Sequence, residues 1–312
     1  MKKLKIIFFG TPEFATYSLN ELFKNNYIIE AVVTATDKRS GRGNKVQYSH
    51  VKKYCLENNL KLFQPESLKN VEFLRNLKLL QADLFVIVAY RMLPKEVWAV
   101  PHLGTINLHA SILPQLRGAA PIQWALINGF EETGLTTFFI NEKIDTGDVL
   151  LQKKVKINKG ENFGSLHDKL MVKGALLLVS TIKLLENDNL RVQKQNLDFT
   201  HLIAPKLNKN NTRINWKKSG ISISNLIRGL SPNPGAWTEM SGTGLTIKIF
   251  SALYVKSRKN SSVRFNFENK KLSILVKDGH IEINEIQIQG KKRMNFKEFI
   301  NGFKKYNNIE LH

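Results

Sequence analysis

The chain has 312 residues, 42% of them hydrophobic, and carries 47 Lys+Arg against 26 Asp+Glu for a net charge of +21. That length and apolar content suit two ordinary domains with a sizeable core and exclude a mainly disordered chain. The single cysteine, Cys55, excludes an internal disulfide framework and any cysteine-based zinc site.

Leu4–Phe9 is a continuous apolar run ending at Gly10 and reads as a buried parallel strand. The lysines before it mimic a signal peptide, but the apolar stretch is too short. No run in the chain is long enough to span a bilayer, so a cytoplasmic protein with no membrane partner is expected. Thr11 suits an N-cap, Pro12 the first helical position and Glu13 the positive helix end, which predicts a helix running to Lys24. Ile28–Val33, Leu84–Ala89 and Thr105–His109 read as further buried strands with helical patterns between them. This alternation predicts a doubly wound, Rossmann-like α/β domain. Phe163–Leu185 reads as a long closing helix, and the polar, unpatterned stretch after it as a linker. Beyond the linker, Leu245–Phe250, Leu272–Val276 and His280–Ile288 alternate or carry β-branched residues between turn signals, as in a small OB-like β-barrel. The expected division is a catalytic domain over 1–188, a linker over 189–207 and a basic barrel over 208–312.

Charge is uneven along this plan. Residues 1–189 hold 25 Lys+Arg and 18 Asp+Glu, whereas residues 190–312 hold 22 and 8. A small domain with most of the excess suits electrostatic docking to a polyanion, although heavy use of Lys, Asn and Ile also produces such a balance through coding bias.

The stretch Gly104–Asp148 holds the chemistry. Asn107 and His109, two apart on a strand, share a face about 6.6 Å apart. They lie at the carboxyl end of the strand, where open α/β sheets bind ligands. An amide and an imidazole side by side suit a developing oxyanion. Asp145, in the turn Asp145-Thr146-Gly147-Asp148, could orient the histidine, stabilise its charged form or take a proton. Alone, each motif is common: an Asn-x-His strand end, and a turn of favoured residues. No histidines have metal spacing, so no metal site is expected. No G-x-S-x-G elbow exists, and Cys55 has no adjacent base, which leaves direct transfer as the simpler chemistry. Gly41-x-Gly43 lacks the third glycine and the acidic residue of a dinucleotide fingerprint.

Along nearly its full length the chain resembles the methionyl-tRNA formyltransferase family. The resemblance rests on Phe9–Ala15 (FGTPEFA), Asp37–Lys45 (DKRSGRGNK), Val88–Pro94 (VAYRMLP), Asn107–Pro114 (NLHASILP), Arg117–Gln123 (RGAAPIQ) and Asp145–Asp148 (DTGD). In the second domain it rests on Ile214–Trp216 and Pro232–Trp237. The chain departs from the family at Ile112, usually Leu, and at Asn233, usually Trp.

The resemblance implies 10-formyltetrahydrofolate as donor and the α-amino group of methionine on initiator tRNA as acceptor, with Asn107, His109 and Asp145 catalytic and the enzyme monomeric. It places the pterin among Tyr90–Pro94, Ser111–Pro114 and Asn141–Asp145, with Arg91, Met92, Leu93, Ser111, Ile112, Leu113 and Pro114 on the folate. Lys38, Arg39, Arg42 and Lys45 of the first basic loop, with Lys206 and Lys209, are expected on the tRNA. Glycinamide ribonucleotide formyltransferase shares the Asn-x-His…Asp core but is shorter and lacks a second basic domain. Sugar-amine formyltransferases and the folate hydrolase domain of formyltetrahydrofolate dehydrogenase have similar length, but their first loop does not usually read Gly-Thr-Pro-Glu-Phe and their second domains are not expected to be so basic. A non-catalytic RNA-binding protein is opposed by the intact Asn107, His109 and Asp145 set, and a nicotinamide dehydrogenase by the missing glycines.

Overall fold

The structure, a computed structural model, describes residues 3–40, 45–197, 201–257, 263–267 and 271–312. It divides into two compact units. One comprises Met1–Pro121, Thr133–Val155 and His167–Ile203, the other Ile122–Glu132, Lys156–Leu166 and Ala204–His312. This division differs from the three-part plan in giving residues 189–203 to the first unit and two short segments to the second.

The first unit is built on a seven-stranded sheet of β1 (Lys5–Gly10), β2 (Ile28–Val33), β3 (Leu62–Phe63), β4 (Leu84–Val88), β5 (Thr105–His109), β6 (Glu132–Phe139) and β7 (Val149–Lys156). The order is β7-β6-β5-β4-β1-β2-β3. The five strands from β5 to β3 are parallel, and β6 runs antiparallel to β5. The direction of winding reverses between β1 and β4, the position where open α/β sheets leave a crevice outside their carboxyl ends.

Both faces are covered, which is why these strands read as continuous apolar runs. On one face Ile7, Phe9, Phe85 and Ile87 pack with Phe73 and Leu77 of α3 (Val71–Leu79) and Val97 of α4 (Lys95–Trp98). On the other, Gly174 of α6 (Phe163–Glu186) sits against Leu108, Leu135 and Phe14 of α1 (Glu13–Lys24). The first helix starts one residue later than Thr11 requires. Pro12 is its N-cap, gives no side-chain bond, and accepts the Ala15 and Thr16 N–H groups through its carbonyl. Gly10 ends β1 because a Cβ there would lie 2.5 Å from the Ala15 Cβ.

In the second unit, β8 (Ala236–Met240), β9 (Leu245–Lys256), β10 (Phe265–Asn266), β11 (Ser273–Val276) and β12 (Gly279–Ile288) form an antiparallel sheet in the order β8-β9-β12-β11-β10. Inward residues Ile247, Ile249, Ile274, Ile281 and Ile283 close over Ile223 and Ile227 of α7 (Gly220–Gly229) and Phe299 of α8 (Phe296–Gly302). The two displaced segments are tied here by Arg228, whose guanidinium donates to the Glu161 and Leu126 carbonyls at 3.3 and 3.4 Å. Asn233 is exposed in the turn between α7 and β8. The fold class read from the sequence, α/β followed by an antiparallel β domain, is the one observed.

Candidate active site

Asn107 stands opposite Ile87 in the β4–β5 register, so it and His109 share the face of Phe85 and Ile87, while Leu108 turns toward α6. Asn107 is half-buried, and its amide makes no hydrogen bond to the described residues. His109 is 6% exposed, and its ring is addressed from both sides. Nε2 lies 3.0 Å from the Leu116 carbonyl. A carbonyl only accepts, so Nε2 carries the proton of that bond. Nδ1 lies 3.7 Å from Asp145 Oδ2, too long for a hydrogen bond but within ion-pair reach.

Asp145 arrives by way of the β6–β7 loop. Ile140 N–H donates to the Thr105 carbonyl at the start of β5, and the loop folds back along the strand to His109 at its end. Asn141 Oδ1 shapes the return, accepting from Lys143 N–H and the Thr146 hydroxyl at 3.0 and 2.9 Å. Gly147 must be glycine, since a Cβ there would sit 1.6 Å from the Phe139 oxygen. Asp145 Oδ2 accepts the Gly118 N–H at 2.9 Å, while Gln195 Nε2 donates to the Asp145 and Gly147 carbonyls at 3.0 and 2.8 Å. Asp145 and Leu116, the two groups that face the imidazole, both hold left-handed backbone, φ +53° and +58°, as does Ala89 at +48° where the chain leaves β4. A non-glycine residue there costs about 1–3 kcal/mol, and such positions cluster at functional sites.

The residues expected on the folate differ in their surroundings. Met92 is exposed, as is Ile144 across the loop pair that Lys95 and Glu142 bridge at 2.9 Å. Arg91, Met92 and Leu93 have backbone polar groups with no partner among the described residues. Leu93 and Leu113 are core. Arg91 is a clamp, donating to the Pro65 and Glu66 carbonyls at 2.6 and 3.0 Å. Ser111–Pro114 is a scaffold whose polar groups are largely spent. Thr136 Oγ1 donates to the Ser111 carbonyl and accepts the Leu113 N–H. Gln152 donates to the Leu113 carbonyl, Gln115 N–H to that of Ile112, and Arg117 to that of Pro114. The Tyr90 hydroxyl, beside Phe9, is buried with no hydrogen bond among the described residues, and burial pushes its pKa up against the opposing pull of the neighbouring Arg91.

Of the residues expected on RNA, Lys38 and Arg39 are exposed on a short strand, Lys38–Ser40, which pairs with Lys45–Gln47 to form a hairpin. Its base is fixed by Asp37, which accepts from Gln64 and Lys52. The Gln64 donor first, then Lys52, holds that carboxyl below its usual range. Arg42 lies outside the described residues, as does the side chain of Lys45. Lys206 and Lys209 are exposed on the second unit. Lys209 and Arg213 both lie over the Trp237 ring, each 5.1 Å from its centroid. Among the described residues no three His, Cys, Asp or Glu side chains could hold a metal ion, and no helix is long and apolar enough to cross a membrane.

Leu116, Thr136, Gln152 and Gln195 escape sequence reading. The first acts through its carbonyl, and Gln195 lies in the unpatterned stretch read as linker.

The family described as formyl transferase matches residues 2–182, and its C-terminal domain residues 206–304. The methionyl-tRNA formyltransferase of Flavobacterium johnsoniae is 50% identical over 307 residues, covering 97% of both chains. That of Bacteroides thetaiotaomicron is 42% identical over 97% of this chain and 98% of its own. Among solved structures, the N-formyltransferase of Helicobacter canadensis, in complex with folinic acid and dTDP-3-aminofucose, has a TM-score of 0.65 at 21% identity, covering 90% of this chain and 98% of its own. HypX of Aquifex aeolicus, in complex with tetrahydrofolic acid, has 0.63 at 17%, covering 97% and 48%. These two likenesses concern the fold. With both parts of the chain matched and relatives 42–50% identical over 97% of its length, the chain belongs to the methionyl-tRNA formyltransferase family.

Proposed function

We propose that the chain transfers the formyl group of 10-formyltetrahydrofolate to the α-amino group of methionine on initiator tRNA, acting as a cytoplasmic monomer. The observation that carries this reading is that Asn107 and His109 share one face at the carboxyl end of β5, with Asp145 Oδ2 3.7 Å from His109 Nδ1. The acceptor amine attacks the formyl carbon directly. Asn107, whose amide is unbonded, donates to the oxyanion that develops there. His109 becomes a second donor when its Nε2–H exchanges the Leu116 carbonyl for that oxyanion. Asp145, facing Nδ1, helps to move the proton from the attacking to the leaving nitrogen.

The folate supplies the activated one-carbon unit. The residues present fit it: a buried hydroxyl at Tyr90 beside Arg91, main chain at Arg91–Leu93 with no partner among the described residues, and apolar Met92 and Ile144 to cover a planar ring. Ser111–Pro114 supports it through side chains and shape, and Arg91 through the loop it fixes. The tRNA is held by Lys38, Arg39, Arg42 and Lys45 of the first basic loop, and by the basic second domain with Lys206 and Lys209.

The test is transfer of labelled formyl from 10-formyltetrahydrofolate to Met-tRNA, with glycinamide ribonucleotide and a sugar amine as competing acceptors. Met-tRNA should take the label, and Asn107→Ala, His109→Ala and Asp145→Ala should each lower turnover by about 10²–10³. Preference for another acceptor would overturn the substrate. Near-normal turnover in any variant would remove that residue from the mechanism.

A further inference from the structure

We infer that Gln195 is a positioning residue for formyl transfer, holding the Asp145 carboxylate against His109 from the segment that follows the last helix of the first unit. The inference rests on the proposed role of Asp145. Residues 189–197 carry no hydrophobic period, yet they are not slack. Val149 and Gln193 exchange both backbone hydrogen bonds, N–H to carbonyl, at 2.7 and 2.9 Å. That bridge runs the segment alongside the end of the β6–β7 loop and brings Gln195 level with the turn.

Both hydrogens of the Gln195 amide are then used, on the carbonyls of Asp145 and Gly147, at 3.0 and 2.8 Å. Both partners can only accept, so the amide has one allowed orientation; reversed, Oε1 would oppose two carbonyl oxygens. In the observed orientation Oε1 is buried with no hydrogen-bond partner among the described residues, and the side chain is held there by its two donors.

What the donors fix is a turn in a disfavoured conformation. Asp145 is left-handed, φ +53°, and Gly147 is pressed onto the Phe139 oxygen. The Gly118 N–H holds the carboxylate by Oδ2, while Gln195 holds the main chain on either side of Thr146. Together they set the 3.7 Å separation from His109 Nδ1. Gln195 touches neither the imidazole nor any reacting atom, so its effect passes through Asp145.

Three variants test this: Gln195→Ala, Gln195→Met, which keeps the side-chain length without donors, and Asp145→Asn, with each Gln195 variant also combined with Asp145→Asn. Turnover is measured in single-turnover mode with excess enzyme. Losing two hydrogen bonds of ordinary strength predicts a fall of roughly ten- to a hundredfold in kcat for Gln195→Met. The KM for folate donor and for Met-tRNA should stay within about threefold, and the melting temperature close to that of the parent. In the Asp145→Asn background the same change should cost less than about twofold, since residues acting as a unit are not additive. Two results overturn the inference: Gln195→Met retaining kcat within twofold while Asp145→Asn collapses it, or an undiminished loss in the Asp145→Asn background. If Asp145→Asn itself retains full turnover, the proposed role of Asp145 fails first, and a loss in Gln195→Met then belongs to the fold. Should Gln195→Ala fail to fold, the methionine variant carries the test alone.

Discussion

In the first unit the polar groups that matter are few and held by main chain in costly conformations. In the second they are many, charged and exposed over an apolar core of isoleucines. His109 is fixed by the Leu116 carbonyl and faced by Asp145, both left-handed. Lys209 and Arg213, both exposed, instead lie over the ring of the largely buried Trp237, and Arg213 also pairs with Glu239 at 3.2 Å. Chemistry on a carbonyl carbon needs geometry to within a fraction of an ångström, so it draws on backbone. Holding a polyanion needs charge over an area, so it tolerates mobile side chains. A lesion in the first unit should therefore be large and specific to rate, and one in the second smaller, spread over positions and sensitive to salt.

The sharpest way to break this contrast is Gly147→Ala. Its methyl would collide with the Phe139 oxygen, so the turn carrying Asp145 cannot close. Turnover should fall by about 10²–10³, as for loss of Asp145 itself, while tRNA affinity stays within a few-fold. Turnover within tenfold of the parent would show that the turn's geometry is not critical. Next, Lys209→Ala with Arg213→Ala should weaken tRNA binding by about tenfold at physiological salt. It should also flatten the slope of log affinity against log salt by about two phosphate contacts, leaving the rate at saturating tRNA unchanged. A change in the saturated rate would place catalytic duty in the second unit. A smaller effect is expected from Asp37→Ala, which releases Lys52 and Gln64 beneath the basic hairpin. The tRNA affinity should fall about two- to threefold, from the loss of charge-assisted bonds, with folate affinity unaltered as the control.

The smallest concerns Cys55, which is 1% exposed and whose thiol burial pushes up to about 12. The thiol is neutral in folded and unfolded chains below its ordinary value. Above it the unfolded chain ionises first, so stability falls as pH rises from about 9 toward about 12. Melting temperature should drop less between pH 8 and pH 10 in Cys55→Ala than in the parent, and a thiol reagent at pH 7.5 should label the parent only after unfolding. Rapid labelling of the folded protein would show that the site is open.

Strands buried on both faces were the most legible part of the sequence. Ile28–Val33 and Thr105–His109 are observed with the bounds their apolar runs predict, and the long closing helix ends at Glu186, one residue beyond expectation. Periodicity fails where one residue settles the matter. Thr11 has the right chemistry for a cap, but Pro12 takes the position. β9 runs on to Lys256, beyond Phe250, because Ala252–Lys256 gains its pairing from β12. In the site, Asn107, His109 and Asp145 stand out in the sequence because amide, imidazole and carboxylate are recognisable as side chains, and the structure sets His109 Nδ1 3.7 Å from Asp145 Oδ2. Leu116 and Gln195 do not stand out, since one works through a carbonyl and the other gains its role from a strand bridge no local pattern announces.

The left-handed turns at Ala89 and Leu116 bear on how such an enzyme could be hardened. Glycine relaxes such a backbone without emptying the core only at Ala89, which is exposed. At Leu116, 1% exposed, it would remove a core side chain worth about 2–5 kcal/mol, more than the relieved strain returns. Heat selection on this scaffold should therefore keep Leu116, and with it the carbonyl that meets His109.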